Sequence, residues 1–270
     1  MRAGNGSAIA AGDIKWRAPA LPLSLTRTAL QETYLATLAT WNLHESVAPA
    51  QRRLAAALQG IQLATALVLA PILYLIGTRL PVHAGWENGP VEMAQNFLLL
   101  CAALGSMGMA LLRRRHAQRH VWWAAALLWL LLLGRELSWG VVLAAPLSFD
   151  AVSGPFYSSR ALVYRPLVPY VAGLTLAMAA LCLAWAQPRQ LLRYAWHRRA
   201  LLPWGMMLAC LLYGLAATYA EGAQHDASGW LRNGQVVEEI FETGAYYFLA
   251  RAQLWTFLRW FRPAAPQKNE

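Results

Sequence analysis

Lysine is nearly absent from this 270-residue chain, occurring only as Lys15 and Lys268. No apolar block contains one, so a retinal Schiff base is excluded. Charge of either sign is scarce at 13% of residues, against ~25% in ordinary soluble domains. Beside 58% hydrophobic residues, that scarcity excludes an ordinary soluble domain. The six histidines are His44, His83, His116, His120, His197 and His225. All fall outside apolar blocks or at their edges, which leaves no bis-His haem and no mid-membrane zinc pair. H-E-x-x-H and G-x-S-x-G are both missing, removing two common hydrolytic centres. Cys101, Cys182 and Cys210 each stand alone in the middle of an apolar block. Without C-x-x-C spacing they are expected as buried small residues, not as disulfides or metal ligands.

What the chain has in abundance is apolar blocks of about 20 residues, the length that crosses a bilayer's hydrocarbon core. Six are readable, at about 57–78, 90–112, 121–145, 167–186, 201–220 and 236–258. Pro90, Pro146, Pro166, Pro188 and Pro203 lie at or beside their boundaries, where a missing N–H costs little. The expected fold is all-α: a polytopic membrane protein whose six transmembrane helices fill 57–258, with a tail at 259–270. In the leading segment, 1–56, Leu30, Tyr34, Leu38 and Trp41 recur at helical spacing. That predicts an amphipathic helix over 28–44, lying on the membrane or on the protein's own cytoplasmic face. Met1 to Leu21 lacks the apolar core of a signal peptide, so no cleaved leader is expected.

A net charge of +10 would suggest nucleic acid in a soluble protein. Here the arginines gather between apolar blocks and report orientation instead. Arg52 with Arg53, Arg113 to Arg115 with Arg119, the set Arg189, Arg193, Arg198 and Arg199, and Arg259 with Arg262 mark alternate connections. The positive-inside rule places these on the cytoplasmic side, with both termini inside. The expected location is the inner membrane of a bacterium. The expected partners are membrane lipids, not nucleic acid.

Nine of the 13 carboxylates fall on the opposite, outer side or in the outer third of a span. Asp and Glu contribute little to topology, so their segregation has another cause. Helix-end electrostatics explain part of it. Asn88-Gly89-Pro90-Val91-Glu92 reads as a helix start, and Glu238, Glu239 and Glu242 occupy the first turns of the last span. There the helix dipole favours each by ~0.3–1 kcal/mol. Glu136 is different. With the third span running outward from Val121, Arg135 lies ~21 Å along it, inside the hydrocarbon. An ionised side chain at the centre of a lone helix costs ~2.5–3.5 kcal/mol. Neighbouring residues point ~100° apart, so Arg135 and Glu136 are each expected to need partners on another span.

Those partners are Glu92 with Asn96 one turn below, and Glu239 with Glu242 and Tyr246, each set sharing one helix face. Spans two, three and six are thus expected to converge on a polar pocket in the outer half of the membrane. Glu136, Glu239 and Glu242 would do its chemistry, and Arg135, Glu92, Asn96 and Tyr246 would bind. A purely structural ion-pair network is the competing reading. Carboxylate oxygens suit a divalent cation, Ca²⁺ or Mg²⁺, proton transfer, or a cationic head group. Arg160 and Arg165, in the third-to-fourth outer loop, could clamp an anion bidentately or pair with the outer acids.

Three segments carry a resemblance: Trp86-Glu87-Asn88-Gly89-Pro90-Val91-Glu92, Gly134-Arg135-Glu136-Leu137-Ser138-Trp139-Gly140 and Glu238-Glu239-Ile240-Phe241-Glu242. Together they resemble a group of uncharacterised bacterial multi-pass membrane proteins with an acidic span start, an E-E-I-S-W-G-Q-like element and a late E-E-x-x-E. Arg135 stands where that group has the first acid of the middle element. More faintly, Glu87, Asn88, Glu92 and Asn96 resemble the first-span acidic motif of alkaline ceramidases, whose corresponding acids ligand calcium. That family also carries three zinc-binding histidines in its spans, which have no counterpart here.

The expected function is recognition or processing of a lipid-linked or amphiphilic substrate in the outer leaflet. The rival is a small permease or a non-enzymatic subunit of a membrane assembly, joined to another membrane protein or to copies of itself. The small-residue stretch Gly105-Ser106-Met107-Gly108-Met109 offers such a subunit a packing face. Topology is directly testable. Reporter fusions or cysteine labelling should find positions 116 and 196 inside and 85, 155 and 228 outside. Labelling of 155 from the cytoplasmic face would overturn the orientation and the outward placement of the acids.

Overall fold

In a computed structural model, residues 48–112, 116–150, 154–158, 160, 162–224 and 233–260 are described. The amphipathic helix expected over 28–44 lies outside them. Seven α-helices make up most of the described chain: α1 (Pro49–Arg79), α2 (Pro90–Leu112), α3 (His116–Glu136), α4 (Val168–Trp185), α5 (Pro188–His197), α6 (Trp204–Gln224) and α7 (Gly234–Trp260). Short 3₁₀ turns precede α2 at Val82–Gly85 and follow α3 at Ser138–Leu143. A hairpin of β1 (Ser148–Asp150) and β2 (Gly154–Phe156) pairs Ser148 with Phe156 and Asp150 with Gly154.

Among the described residues, four helices are long and apolar enough to cross a membrane: α1, α2 with its preceding turn, α4 with the 3₁₀ turn at Arg165–Leu167, and α6. They put apolar side chains outside as well as inside, as lipid contact requires. On α4 only Ala179 is buried, while Tyr170, Leu174 and Leu181 are exposed. The same outward face corrects one expectation about cysteine. All three thiols are free, but Cys101 is exposed and the other two are only half-buried.

The long helices α3 and α7 carry the charged residues. α7 is the hub, packing most extensively on α6 and also on α1 and α2, whereas α3 packs between α2 and α4. Two helix groups result, α1/α6/α7 and α2/α3/α4, and they meet where α2 crosses α7. Asn233 joins the start of α7 to the end of α1, its side-chain amide donating to the Leu80 and Thr78 carbonyls at 2.7 and 3.3 Å. Those carbonyls would otherwise lack partners beyond the helix end.

The third apolar block departs from expectation. It does not run as one helix to residue 145. α3 stops at Glu136, and Ser138, Trp139 and Gly140 all take left-handed backbone, with φ of 46°, 59° and 95°. Three such residues in succession cannot continue a right-handed helix. Glycine suits the last of them, and the Tyr164 hydroxyl fixes the turn by donating to the Trp139 carbonyl at 2.8 Å. Arg135 and Glu136 therefore occupy a helix end. Beyond it the hairpin leans on the loop before α2, with the rings of Trp86 and Phe149 edge-on at 5.3 Å.

The tightest crossing joins α6 and α7. A Cβ on Gly244 would lie 2.3 Å from Cδ1 of Tyr213. That ring is held by a buried hydrogen bond from its hydroxyl to the Ala66 carbonyl, 2.9 Å, and by edge contacts with Phe241 and Phe248. It has no room to step aside. Gly244→Ala should destabilise the protein by ~1–3 kcal/mol, read as a lower melting temperature in detergent. Gly214→Ala, whose added carbon meets open space, should not. Equal melting temperatures for the two would contradict the close approach.

Candidate functional site

The end of α3 projects Glu136 toward α2 and α7, and its side chain is only 9% exposed. Gln95 of α2 donates its amide to Oε2 at 2.8 Å. From α7, the Tyr246 hydroxyl lies 3.0 Å from Oε1. Thr243, one turn before Tyr246, donates to the Gln95 carbonyl oxygen at 3.0 Å. One carboxylate thus ties three helices together, directly and through a neutral amide. The Tyr246 hydroxyl is also 3.0 Å from Glu242 Oε1, so a single phenolic hydrogen faces two carboxylates.

Arg135 behaves differently from expectation. Its side chain is 64% exposed, and its Nε lies 3.4 Å from Glu136 Oε1. The adjacent residues do contact each other, because the arginine side chain is long enough to span the angle between them. Its Nη2 also donates to Glu242 Oε1 at 3.1 Å. The guanidinium therefore forms the rim of the cluster, with one face open.

Glu92 is 5% exposed. It reaches back to the Asn88 amide at 2.5 Å, as an acid in a first helical turn does, and accepts a bond from the Asn96 side chain. Glu239 stands within electrostatic reach of Glu92, Glu242 and Glu136. Two buried acceptors, Glu239 Oε2 and Asn96 Oδ1, have no hydrogen-bond partner among the described residues. Glu92, Glu136, Glu239, Glu242, Asn96, Tyr246 and Arg135 are thus brought together. Arg160 and Arg165 are not. Both are exposed, and neither forms an ion pair among the described residues.

Sequence reasoning missed Gln95 and Thr243, and with them a second belt two turns below Glu136 and Tyr246. There the Trp129 indole of α3 donates to the side-chain oxygen of Gln253 on α7. Gln253 then donates to Ser106 of α2 at 2.5 Å, and Ser106 to the Ala102 carbonyl at 2.6 Å. The available signal was the spacing of Gln95 and Ser106 on α2 and of Thr243, Tyr246 and Gln253 on α7, each set lying along one helical stripe.

Of the three uses open to these carboxylates, a divalent cation is the one the geometry supports least. Among the described residues, no three His, Cys, Asp or Glu side chains gather to hold a metal ion, and the best-placed oxygens of Glu136 and Glu242 already accept bonds from protein donors. The arrangement suits hydrogen bonding from Gln95 to Glu136 and proton exchange among Glu136, Tyr246 and Glu242, with a cation at the rim. No protein-family model, curated protein or solved structure matches this chain.

Tyr246→Phe keeps the ring, which packs against Leu99, Ala103 and Trp129, but removes the hydrogen that two carboxylates share. It should destabilise the protein by ~1–3 kcal/mol. Adding Glu242→Gln should restore part of that loss, because the amide removes one charge and supplies a donor to Glu136. A Tyr246→Phe protein as heat-stable as the parent would mean that the hydroxyl bridges nothing.

Proposed function

We propose that this chain is an integral protein of the bacterial inner membrane, and that its Glu136 cluster recognises or processes a lipid-linked or amphiphilic substrate in the outer leaflet. In this reading α3 and α7 join the four apolar helices to give six spans with both termini cytoplasmic. The alternating arginine segments support that orientation. Beside α5, Arg198 and Arg199 stack on the rings of Tyr194 and Trp196 at 5.0 and 4.9 Å, an arrangement suited to a membrane surface on either side. The likeness of the three acidic segments to bacterial multi-pass proteins agrees with the same location.

One observation carries the functional reading: a buried carboxylate held from three helices, beside a 64% exposed arginine and two buried acceptors that lack donors. Unpartnered side-chain oxygens also stand outside the cluster among the described residues, at Gln62, Gln187 and Gln190, but these two lie beside the buried carboxylate and the exposed arginine. A substrate head that donates hydrogen bonds, such as an amine or a polyol, would complete them. Glu136 is the proton-handling or ligand carboxylate, Glu239 and Glu242 are its partners, and Arg135 is the electrostatic clamp at the rim. The rival reading, a structural staple in a permease or assembly subunit, draws on Glu136 itself, both of whose oxygens already have protein donors.

Glu136→Gln separates the two. Breaking a buried ion pair typically costs ~3–5 kcal/mol by stranding the partner charge, but Arg135 is exposed and keeps Glu242, so that penalty does not apply in full. Wild-type and variant protein extracted with native lipid should be compared for melting temperature and for retained lipids by mass spectrometry. The proposal expects melting within a degree or two of the parent and loss of a specifically retained amphiphile. An unchanged lipid complement with a clear fall in melting temperature supports the staple and overturns the proposal.

A further inference from the structure

The polar cluster sits at the head of an apolar groove. On α2, Gln95, Leu98, Ala102, Gly105 and Met109 follow one helical stripe, and on α7 Thr243, Tyr246, Ala250, Leu254 and Phe257 follow another. Hydrogen bonds join Thr243 to Gln95 and Gln253 to Ser106, so the two helices run parallel and nearly in register. Below the Gln95–Thr243 bond the stripes line a cavity of about 230 Å³. Small residues keep it open. A Cβ built on Gly105 meets nothing within 4 Å, and Ala102 and Ala250 face it from either side. Its one polar patch, Ser106 with Gln253, is already bonded to itself and to Trp129. Its upper wall, Leu98, Ala102 and Ala250, packs against the core group that contains Tyr246.

Dimensions select the occupant. From Leu98 to Met109 the groove runs ~16 Å along the helix, about half of the ~30 Å hydrocarbon core and so the depth of one leaflet. The groove is a narrow slot of about 230 Å³ between two helices already bonded to each other at Gln95–Thr243 and Ser106–Gln253, too close together to admit a third helix ~10 Å wide between them. A partner helix does not fit, whereas a single hydrocarbon chain does. We propose that this groove seats one acyl or prenyl chain of an amphiphile whose head reaches the Glu136 cluster. The proposal rests on the functional reading above and adds to it a single-chain seat of fixed position and length.

The test uses a 16-carbon fatty acid carrying a diazirine near its methyl end, added to the full chain in phosphatidylethanolamine/phosphatidylglycerol nanodiscs. After illumination, adducts should map to 98–109 of α2 and 250–257 of α7. Gly105→Phe fills the groove from a position with open space, so it should fold and cut those adducts at least tenfold. Gly173→Phe, on α4 with equal free space, should not change them. In unmutated protein, the fatty acid should slow alkylation of Cys101, which lines the groove, and leave Cys182 and Cys210 unaffected. Adducts indifferent to Gly105→Phe, or unprotected Cys101, overturn the seat. A dimer lost on Gly105→Phe would show a second chain there and overturn it too. Glu136→Gln keeps the two levels apart. Groove labelling that survives with no lipid loss in Glu136→Gln upholds the seat and sinks the head-group reading. Lipid loss in Glu136→Gln with labelling indifferent to Gly105→Phe does the reverse.

Discussion

A carboxylate placed among apolar helices must be compensated, and the organisation of this protein follows from how Glu136 is. Water is the ordinary partner of an ionised acid, and a 9% exposed side chain has little of it. The compensation comes from an amide on α2 and a phenol on α7, each at 3.0 Å or less. Hydrogen bonds to a charged group contribute more than neutral ones, and removing one side leaves the other uncompensated. These bonds lie where the two helix groups α1/α6/α7 and α2/α3/α4 meet. α3 and α7 share few backbone contacts, so side chains reaching across α2 do much to fix their relation. The Trp129–Gln253–Ser106 belt repeats the device two turns deeper, without charge.

The same constraint explains how a packing element and a site can be one object. Glu136 is fully engaged, but the members around it are not. Arg135 is mostly exposed, and Glu239 and Asn96 each present a buried acceptor without a donor. At its centre the cluster is bonded from two neighbouring helices, and at its edge two acceptors have no donor among the described residues; the proposed site would use that edge. Below it, the parallel stripes of α2 and α7 leave an apolar channel because small residues stand where larger ones would close it. In the proposed reading the cluster takes the head of an amphiphile and the groove below it takes the chain.

Much of this was legible in the sequence, for identifiable reasons. Charge inside apolar blocks is conspicuous, so Glu92, Glu136, Glu239, Glu242 and Tyr246 could be assigned to converging faces from spacing alone. The bounds of α2 followed from Pro90 at its start and the arginines at its end. Neutral polar residues gave weaker signals: Gln95 and Thr243 carry no charge that demands explanation, and they proved central. The end of α3 was missed because an apolar run looks continuous through Leu137 and Val141, and only the left-handed turn at Ser138 to Gly140 ends it. That turn leaves Arg135 and Glu136 in the last turn of α3, where their side chains contact each other. Arg160 and Arg165 were drawn toward the cluster by chemistry alone, and the loop that carries them takes them elsewhere.

The most direct test is a double-mutant cycle on the bond between helices α2 and α3. Gln95→Leu, Glu136→Leu and the double variant should be unfolded side by side in the same detergent, with stability read from the transition. If Glu136 is held by Gln95, the two losses will not add, and the coupling will reach ~1 kcal/mol or more. Losses additive within ~0.3–0.5 kcal/mol would mean that the two side chains do not interact, and would contradict the account at its centre.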